Sequence, residues 1–166
     1  MESVRNKKRF WVYLLITLAI MAAIFIFSAQ DGSQSGDFSD GFLKSLIGNF
    51  LSGILPPLTD KGFDYDIRKY AHMFEYFCLG VSSFLMFSEL FFERGRMLLK
   101  TSLSSAFFCF LYACSDEFHQ RFVPGRAGRL ADVGVDSIGY CTAVLLMLIG
   151  FMLMRQIKKG KEKNSK

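Results

Sequence analysis

The chain contains four long apolar blocks separated by polar segments. They run over about residues 10–29, 70–92, 97–115 and 133–154. Each is about 20 residues long, which is the length an α-helix needs to cross the hydrocarbon core of a bilayer. The pattern predicts an all-α integral membrane protein, a four-helix transmembrane bundle that forms a single domain over residues 1–166. The composition agrees, since 51% of the residues are hydrophobic.

The first apolar block follows a basic segment, Arg5 to Arg9, as the apolar core of a signal peptide would. Two features argue against cleavage. The apolar run is longer than that of a typical signal peptide, and cleavage after Ala29 would place the bulky Phe27 at the −3 position. The block is therefore interpreted as a retained membrane anchor.

The connection between the first two blocks contains a short apolar pattern of its own. A Gly-, Ser- and Asp-rich loop over residues 30–37 comes first, and apolar residues then recur at helical spacing up to Leu55. Ser39 or Asp40 can cap the start of this helix, and Pro56 follows its end. We expect an amphipathic helix over about residues 40–55 in the outer interface of the membrane. The alternative, that it packs on the ends of the bundle, is compatible with this.

The distribution of charge predicts the topology. The net charge is +5, and the cations concentrate before the first block, between the second and third, and in the tail over 155–166. The connection between the first and second blocks carries six Asp and four Lys or Arg residues. This positive-inside pattern places both termini in the cytoplasm. Because the cations are divided among these flanks and form no single patch, nucleic-acid binding is not expected.

Three polar sets lie at the edges of the apolar blocks. They cover residues 68–76, 114–126 and 132–136. Since the helices alternate in direction, all three sets are predicted to meet at the external ends of the second, third and fourth helices. Ionisable groups at membrane depth are costly, and they mark either a functional site or a paired network.

The set on the second helix places Lys69, His72, Glu75 and Tyr76 on one face. A carboxylate beside an imidazole can orient the ring, transfer protons or supply two metal ligands. His72 and Glu75 are therefore catalytic candidates, and Lys69 and Tyr76 are candidates for ligand binding. The alternative is a purely structural pair.

The set on the third helix combines an acid, an imidazole and an amide within five residues. Asp116, His119 and Gln120 share a face, with Glu117 on its flank. Catalytic candidates are Asp116, Glu117 and His119, and Gln120 is a candidate for ligand binding. The alternative is an interfacial cap in which Arg121 reaches towards the headgroups.

Two arginines follow this helix and flank the predicted site. Arg126 comes after a Pro-Gly turn, and Arg129 lies shortly beyond it. A guanidinium group there suits bidentate binding of a phosphate or carboxylate. For Arg129, a salt bridge to Asp132 or Asp136 is the alternative.

Asp132 and Asp136 share one face at the start of the fourth helix. Asp132 is a candidate for ligand binding, although it could also be only an N-cap. Asp136 lies one turn deeper and is the stronger candidate for catalysis. Two carboxylates on one face near the membrane edge require cations or a shared proton.

The charges of the three sets, counted together with Arg129, balance, with five acids and five cations. The cluster could therefore neutralise itself without a metal. A mixed nitrogen and oxygen site for a divalent metal stays open. The sequence has no motif for a metal or another cofactor, since H-E-x-x-H and the P-loop are missing from it, and it also lacks the nucleophile motif G-x-S-x-G.

These motifs resemble those of the VanZ family of small bacterial membrane proteins. The residues that carry the resemblance are Phe27-Ser-Ala-Gln30, Lys69-x-x-His72-x-x-x-Tyr76-x-x-Leu79, Asp116-Glu-x-His-Gln120-x-x-x-Pro-Gly-Arg126 and Asp132-x-x-x-Asp136-x-x-Gly139. The resemblance implies a role in the bacterial envelope, because the family takes its name from a protein that lowers sensitivity to the glycopeptide teicoplanin. It implies that the signature positions are His72, Asp116, Glu117, His119, Gln120, Arg126, Asp132 and Asp136. Relatives with Asn at the position of Asp136 would speak against a strict catalytic need for that carboxylate.

Three functional hypotheses follow. In the first, a non-enzymatic protein binds an anionic lipid-linked wall precursor or an amphiphilic glycopeptide at the outer leaflet, and the amphipathic helix forms one wall of the site. In the second, a hydrolase or transferase acts on a lipid-linked phosphate or ester, with His72 or His119 as general acid and base. In the third, the cluster only locks the helices together. The sequence leaves enzymatic activity open.

Overall fold

The described part of the chain consists of four α-helices. The computed structural model describes residues 6–30, 63–91, 97–126 and 128–164, and for residues 63–68 it describes the backbone alone. The helices are α1 (Lys7–Ser28), α2 (Phe63–Leu90), α3 (Met97–Gln120) and α4 (Leu130–Asn164). All four contain a stretch long and apolar enough to cross a membrane, and the described residues contain no strand. The predicted all-α transmembrane fold is confirmed. The amphipathic helix predicted over 40–55 lies outside the described residues.

Three helices extend beyond their apolar blocks. Helix α2 begins before Tyr70, α3 continues from Ser115 to Gln120, and α4 continues from Met154 to Asn164. Hydropathy marks the residues that fit the apolar core of the membrane. Helical hydrogen bonding can continue beyond them into polar residues that favour a helix. The basic tail predicted over 155–166 is therefore helical up to Asn164, as an extension of α4 with exposed side chains.

Side-chain contacts at the two ends of the bundle define the helix directions. At one end, Ser28 of α1 contacts Asp116 of α3. At the other, Arg9 of α1 lies 3.9 Å from the carboxylate of Glu89 of α2. Helices α1 and α3 therefore end where α2 and α4 begin. We call this the polar end, and it comprises residues 28–30, 69–76, 116–126 and 128–136.

Helix α2 is the central helix of the bundle. Half of its apolar span (50%) is buried inside the protein, compared with 11% for α1. Glycines allow α2 and α4 to pack closely. A Cβ atom on Gly80 would lie 2.8 Å from the Cβ atom of Ala143, and one on Gly139 would collide with the carbonyl oxygen of Met73. Small residues of this kind permit close approach of helix backbones in membranes.

The interface between α2 and α3 is partly polar. The hydroxyl groups of Ser83 and Ser105 are 2.6 Å apart, and the Sγ atom of Cys109 lies 3.4 Å from the Ser83 hydroxyl. Apolar residues surround this group, and they include Ile24, Leu79, Ala113, Val133 and Tyr140. The outward surfaces of the helices carry large exposed apolar side chains, as expected for helices that face lipid.

Candidate functional site

The C-terminus of α1 is joined to α3 by a buried hydrogen-bond network. The Ser28 hydroxyl donates to Asp116 Oδ2 at 2.9 Å, and the Gln120 amide donates to the same oxygen at 3.1 Å. The Gln120 amide also lies 3.4 Å from the Ser28 hydroxyl. Asp116 and Gln120 meet because they are one turn apart on α3. Ser28 is not among the predicted site residues, although it lies in the Phe27-Ser-Ala-Gln30 motif.

Arg126 lies against the end of α1. The turn after α3 contains Gly125 with a φ of 73°, a conformation that favours glycine. Arg126 follows this turn and donates from Nε to the Gln30 carbonyl and from Nη2 to the Phe27 carbonyl, both at 3.3 Å. A cation that bonds the last carbonyls of a helix also interacts favourably with the helix dipole. The structure therefore gives Arg126 a structural role that the sequence did not suggest.

Glu117 bonds to the backbone at the start of α4. Its Oε2 accepts a hydrogen bond from the backbone N–H of Arg129 at 2.9 Å. Gly128 makes this connection possible, because its φ is 46° and a Cβ atom there would lie 2.5 Å from the Glu117 carbonyl. An anion at a helix N-terminus is stabilised by unpaired N–H groups and by the dipole. The Arg129 side chain itself is exposed.

Asp132 forms an ion pair with Lys69, which joins α4 to α2 at the polar end. Since α4 begins at Leu130, Asp132 lies inside the first helical turn, so the reading of Asp132 as only an N-cap is wrong. Both side chains are partly exposed, at 17% for Lys69 and 23% for Asp132. The pair therefore lies at the rim of the bundle.

The two histidines have different surroundings. His72 Nδ1 lies 3.8 Å from Glu75 Oε2, which is within range for an ion pair but too long for a hydrogen bond. The His119 ring packs on the Phe25 ring of α1 with the centroids 4.4 Å apart. Its Nδ1 is buried and has no hydrogen-bond partner among the described residues. Each imidazole could still transfer a proton. Among the described residues, neither imidazole is grouped with enough other possible ligands to hold a metal ion.

Four carboxyl groups from three helices form what we call the carboxylate cluster: Glu75, Asp116, Glu117 and Asp136. Asp136 is close enough to the other three for each of them to act on it electrostatically. The Tyr76 hydroxyl belongs to the same region, since Asp116 and Asp136 both act on it. Tyr76 is fully buried, and Asp116 and Asp136 are each 2% exposed. The polar sets predicted on α2, α3 and α4 therefore meet inside the protein.

Several oxygen atoms of this region have no hydrogen-bond partner in the part of the chain that the structure describes. They are Glu75 Oε2, Tyr76 OH, Asp116 Oδ1 and Asp136 Oδ2. A buried carboxyl or hydroxyl oxygen without a partner is destabilising by about 1–3 kcal/mol. The side chains of the network therefore do not satisfy all of its buried oxygens by themselves.

The cations of the polar end lie around the cluster. Lys69 contacts Asp132, and Arg126 bonds the α1 carbonyls while acting electrostatically on Glu75, Asp116 and Glu117. Within the described ranges, no three His, Cys, Asp or Glu side chains are grouped closely enough to hold a metal ion. The geometry among these residues does not build a divalent metal site.

A comparison with protein families identifies the chain. Residues 10–153 match the sequence profile of the VanZ/LLP1 family, and this range includes the whole polar end and the four apolar blocks up to residue 153. No curated protein and no solved structure is significantly similar to it. The match covers most of the chain and agrees with the motifs that meet at the polar end. The chain is therefore a membrane protein that belongs to the VanZ/LLP1 family.

Proposed function

We propose that this protein acts in the bacterial cytoplasmic membrane and contributes to glycopeptide resistance of the teicoplanin type, or to envelope homeostasis. It does so by binding a lipid-linked or amphiphilic ligand that carries an anionic group. The binding site is the polar end, which faces the outer side of the membrane, and both termini are cytoplasmic.

The observation that carries the proposal is the incompletely satisfied carboxylate cluster. Three helices contribute acids to it, and one buried oxygen each of Glu75, Asp116 and Asp136 has no hydrogen-bond partner among the described residues. Placing such groups inside an apolar bundle is costly, and selection retains them where they serve a function. A cluster that only held the helices together would be more stable with paired or apolar side chains.

The rim of the polar end supports contact with an anionic group. The Arg129 side chain is exposed. Guanidinium groups at a membrane interface bind phosphate and carboxylate in a bidentate manner. Orientation is supported by the opposite end of the bundle, where α4 continues with Arg155, Lys158 and Lys159, because cytoplasmic segments carry the excess of cations.

Antibiotic susceptibility tests this proposal. The chain and its variants are expressed at equal membrane levels in a susceptible bacterium, and the minimal inhibitory concentrations of teicoplanin and vancomycin are measured. We expect wild type to raise the value for teicoplanin, and Asp116→Asn to remove the increase. Glu89→Gln is the matched control, since Glu89 is a buried acid at the opposite end of the bundle. Equal resistance with Asp116→Asn and wild type would contradict a role for the polar end.

A second candidate function is a membrane-embedded hydrolase or transferase that acts on a lipid-linked phosphate or ester. The His72–Glu75 pair favours it, because a carboxylate 3.8 Å from an imidazole can orient the ring for proton transfer. The test is phosphate release from a polyprenyl diphosphate by the purified protein, with and without added divalent metal. Turnover that is lost in His72→Ala would support catalysis. No turnover by the wild type, or turnover by both His72→Ala and His119→Ala equal to that of the wild type, would exclude this function.

A further inference from the structure

We infer that a groove between α3 and α4 binds an anionic phospholipid of the membrane leaflet at the end of the bundle opposite the polar end. One acyl chain lies along the groove, and the phosphate contacts Arg155 at its outer end. This lipid site is separate from the polar end, so it does not depend on the ligand proposed there. It rests on the shape of the groove, the position of one guanidinium group and the charge of the helix beyond it.

The groove has a volume of about 430 Å³ and is open on the outer surface of the bundle. This volume lies in the range of about 300–1,000 Å³ that is typical of small-molecule sites. Ser102 lines the groove, and its small side chain leaves space that a larger residue would fill. The other walls are mostly apolar, and their large side chains are Leu98, Leu99, Leu148 and Met152. In a membrane, an acyl chain is therefore the occupant that fits this surface.

The groove has the direction and the length that an acyl chain requires. Leu148, Met152 and Arg155 follow one another along the same face of α4, which leads away from the polar end. Leu148 and Arg155 are about two turns apart, or about 10 Å along the helix axis. The hydrocarbon region of one leaflet is about 15 Å thick. A lipid chain in the groove therefore contacts the protein over most of the depth of its leaflet.

Arg155 lies where the headgroup of such a lipid would be. It is the first charged residue after the apolar block of α4, and its side chain is exposed. Its Nη2 donates to the Met97 Sδ atom at 3.5 Å, and a thioether is a weak acceptor. Among the described residues no carboxylate forms an ion pair with Arg155. A guanidinium group presents its N–H donors as a fork that suits a phosphate.

The helix beyond Arg155 favours an anionic headgroup over a zwitterionic one. Lys159 comes one turn after Arg155 and shares its face, whereas Lys161 lies on the opposite side of α4. Glu162 is the acid in this segment, and its cations after Arg155 are Lys158, Lys159, Lys161 and Lys163. Each cation close to an anionic lipid surface strengthens binding by about fivefold.

Brominated lipids can measure lipid exchange at the groove, because bromine quenches the fluorescence of an indole that it contacts. Trp11 is the only tryptophan of the chain, so Trp11→Phe combined with Leu99→Trp leaves one reporter at the groove wall. Leu99 is 60% exposed and has room for the larger ring. Quenching in vesicles that mix phosphatidylglycerol and phosphatidylcholine, with one of the two brominated, gives their relative binding constant. We expect phosphatidylglycerol to be preferred by about fivefold.

Two variants in this background test the contact with Arg155. Arg155→Gln should reduce the preference to about twofold or less, whereas Lys161→Gln removes a cation from the opposite face and should leave it unchanged. Equal quenching by the two lipids would overturn the inference. An equal loss of preference in Arg155→Gln and Lys161→Gln would also overturn it, because the effect would then come from the general surface charge.

The native Trp11 provides a second control, on another helix at the same end of the bundle. It is 59% exposed near the start of α1, where Arg9 approaches Glu89. In the chain without the Trp11→Phe and Leu99→Trp exchanges, Arg155→Gln should not alter the lipid preference that Trp11 reports. A change at Trp11 as large as the one at the groove reporter would contradict a local site.

A further pair of variants tests the acyl chain separately from the phosphate. Ser102→Leu places a larger side chain in the groove, and Ser104→Leu makes the same exchange on α3 at a position that does not line it. The phosphatidylglycerol that stays bound to the purified protein is measured by native mass spectrometry. We expect Ser102→Leu to lose most of it and Ser104→Leu to keep the wild-type amount. Equal retention by wild type and Ser102→Leu would show that no chain lies in the groove.

Discussion

Replacing Gly139 by alanine should separate α2 from α4 and destabilise the bundle. A Cβ atom at this position would overlap the Met73 carbonyl oxygen, lie 3.0 Å from the Met73 carbonyl carbon and 3.2 Å from the Phe77 nitrogen. All three atoms belong to the α2 backbone, so no side chain can rotate away to make room. Gly80 faces Tyr140 and Ala143 in the same interface, and these contacts would loosen together.

The expected cost is about 2 kcal/mol, the middle of the range for one extra methyl group in a tightly packed core. In a protein of this size, that corresponds to a decrease of about 4–8 °C in melting temperature. Asp136 lies on α4 one turn before Gly139, so the same displacement should also weaken the function of the polar end.

Thermal unfolding in detergent can be followed with a maleimide dye that becomes fluorescent on reacting with a thiol. Cys109 is fully buried and reports opening of the bundle, in a background where the other cysteines are replaced by alanine: Cys78, Cys114 and Cys141. Gly150→Ala is the matched control, because it lies on the same helix and a Cβ atom there would have nothing within 4 Å. If Gly139→Ala melts at the same temperature as Gly150→Ala or above it, the close helix contact is wrong.

Two further predictions concern the rim. Arg126→Gln should lower the free energy of unfolding by about 1 kcal/mol, because the carbonyls of Phe27 and Gln30 at the end of α1 lose a cationic donor. The same thiol assay measures this change, and an unchanged melting temperature would contradict the capping role of Arg126. Lys69→Asp and Asp132→Lys should each destabilise the protein, and the double exchange should recover part of the loss, since the two side chains form an ion pair between α2 and α4. Strictly additive losses in the double-mutant cycle would show that the pair is not coupled.

The four membrane spans could be predicted from hydropathy, because each apolar block has the length that a bilayer imposes. The ends of the helices could be predicted less well. Helix α3 continues to Gln120 and α4 to Asn164 because backbone hydrogen bonding does not stop where apolar side chains stop. Hydropathy locates the boundary of the apolar membrane core. The end of a helix depends in addition on caps and turns, such as the turn at Gly125 that follows α3.

The candidate residues were found by their unusual chemistry at membrane depth, but their individual partners were not. Arg126 looked suited to an anionic ligand, and its contacts are carbonyls at the end of α1. Glu117 looked like a flanking residue, and it bonds the backbone of Arg129 at the start of α4. In the structure both residues connect helices.

The sequence by itself determined the class of protein and the meeting of three polar sets. Both follow from local composition and from the alternating direction of successive spans. Only the tertiary structure decided which polar groups form hydrogen bonds or ion pairs with one another and which described oxygens have no hydrogen-bond partner. Ser28 and Asp116 are 88 residues apart, and Lys69 and Asp132 are 63 apart. Such pairs depend on how each helix is rotated and how closely it packs. Contacts between helices set both, such as the contact of Gly139 of α4 with the α2 backbone, and no local pattern specifies them.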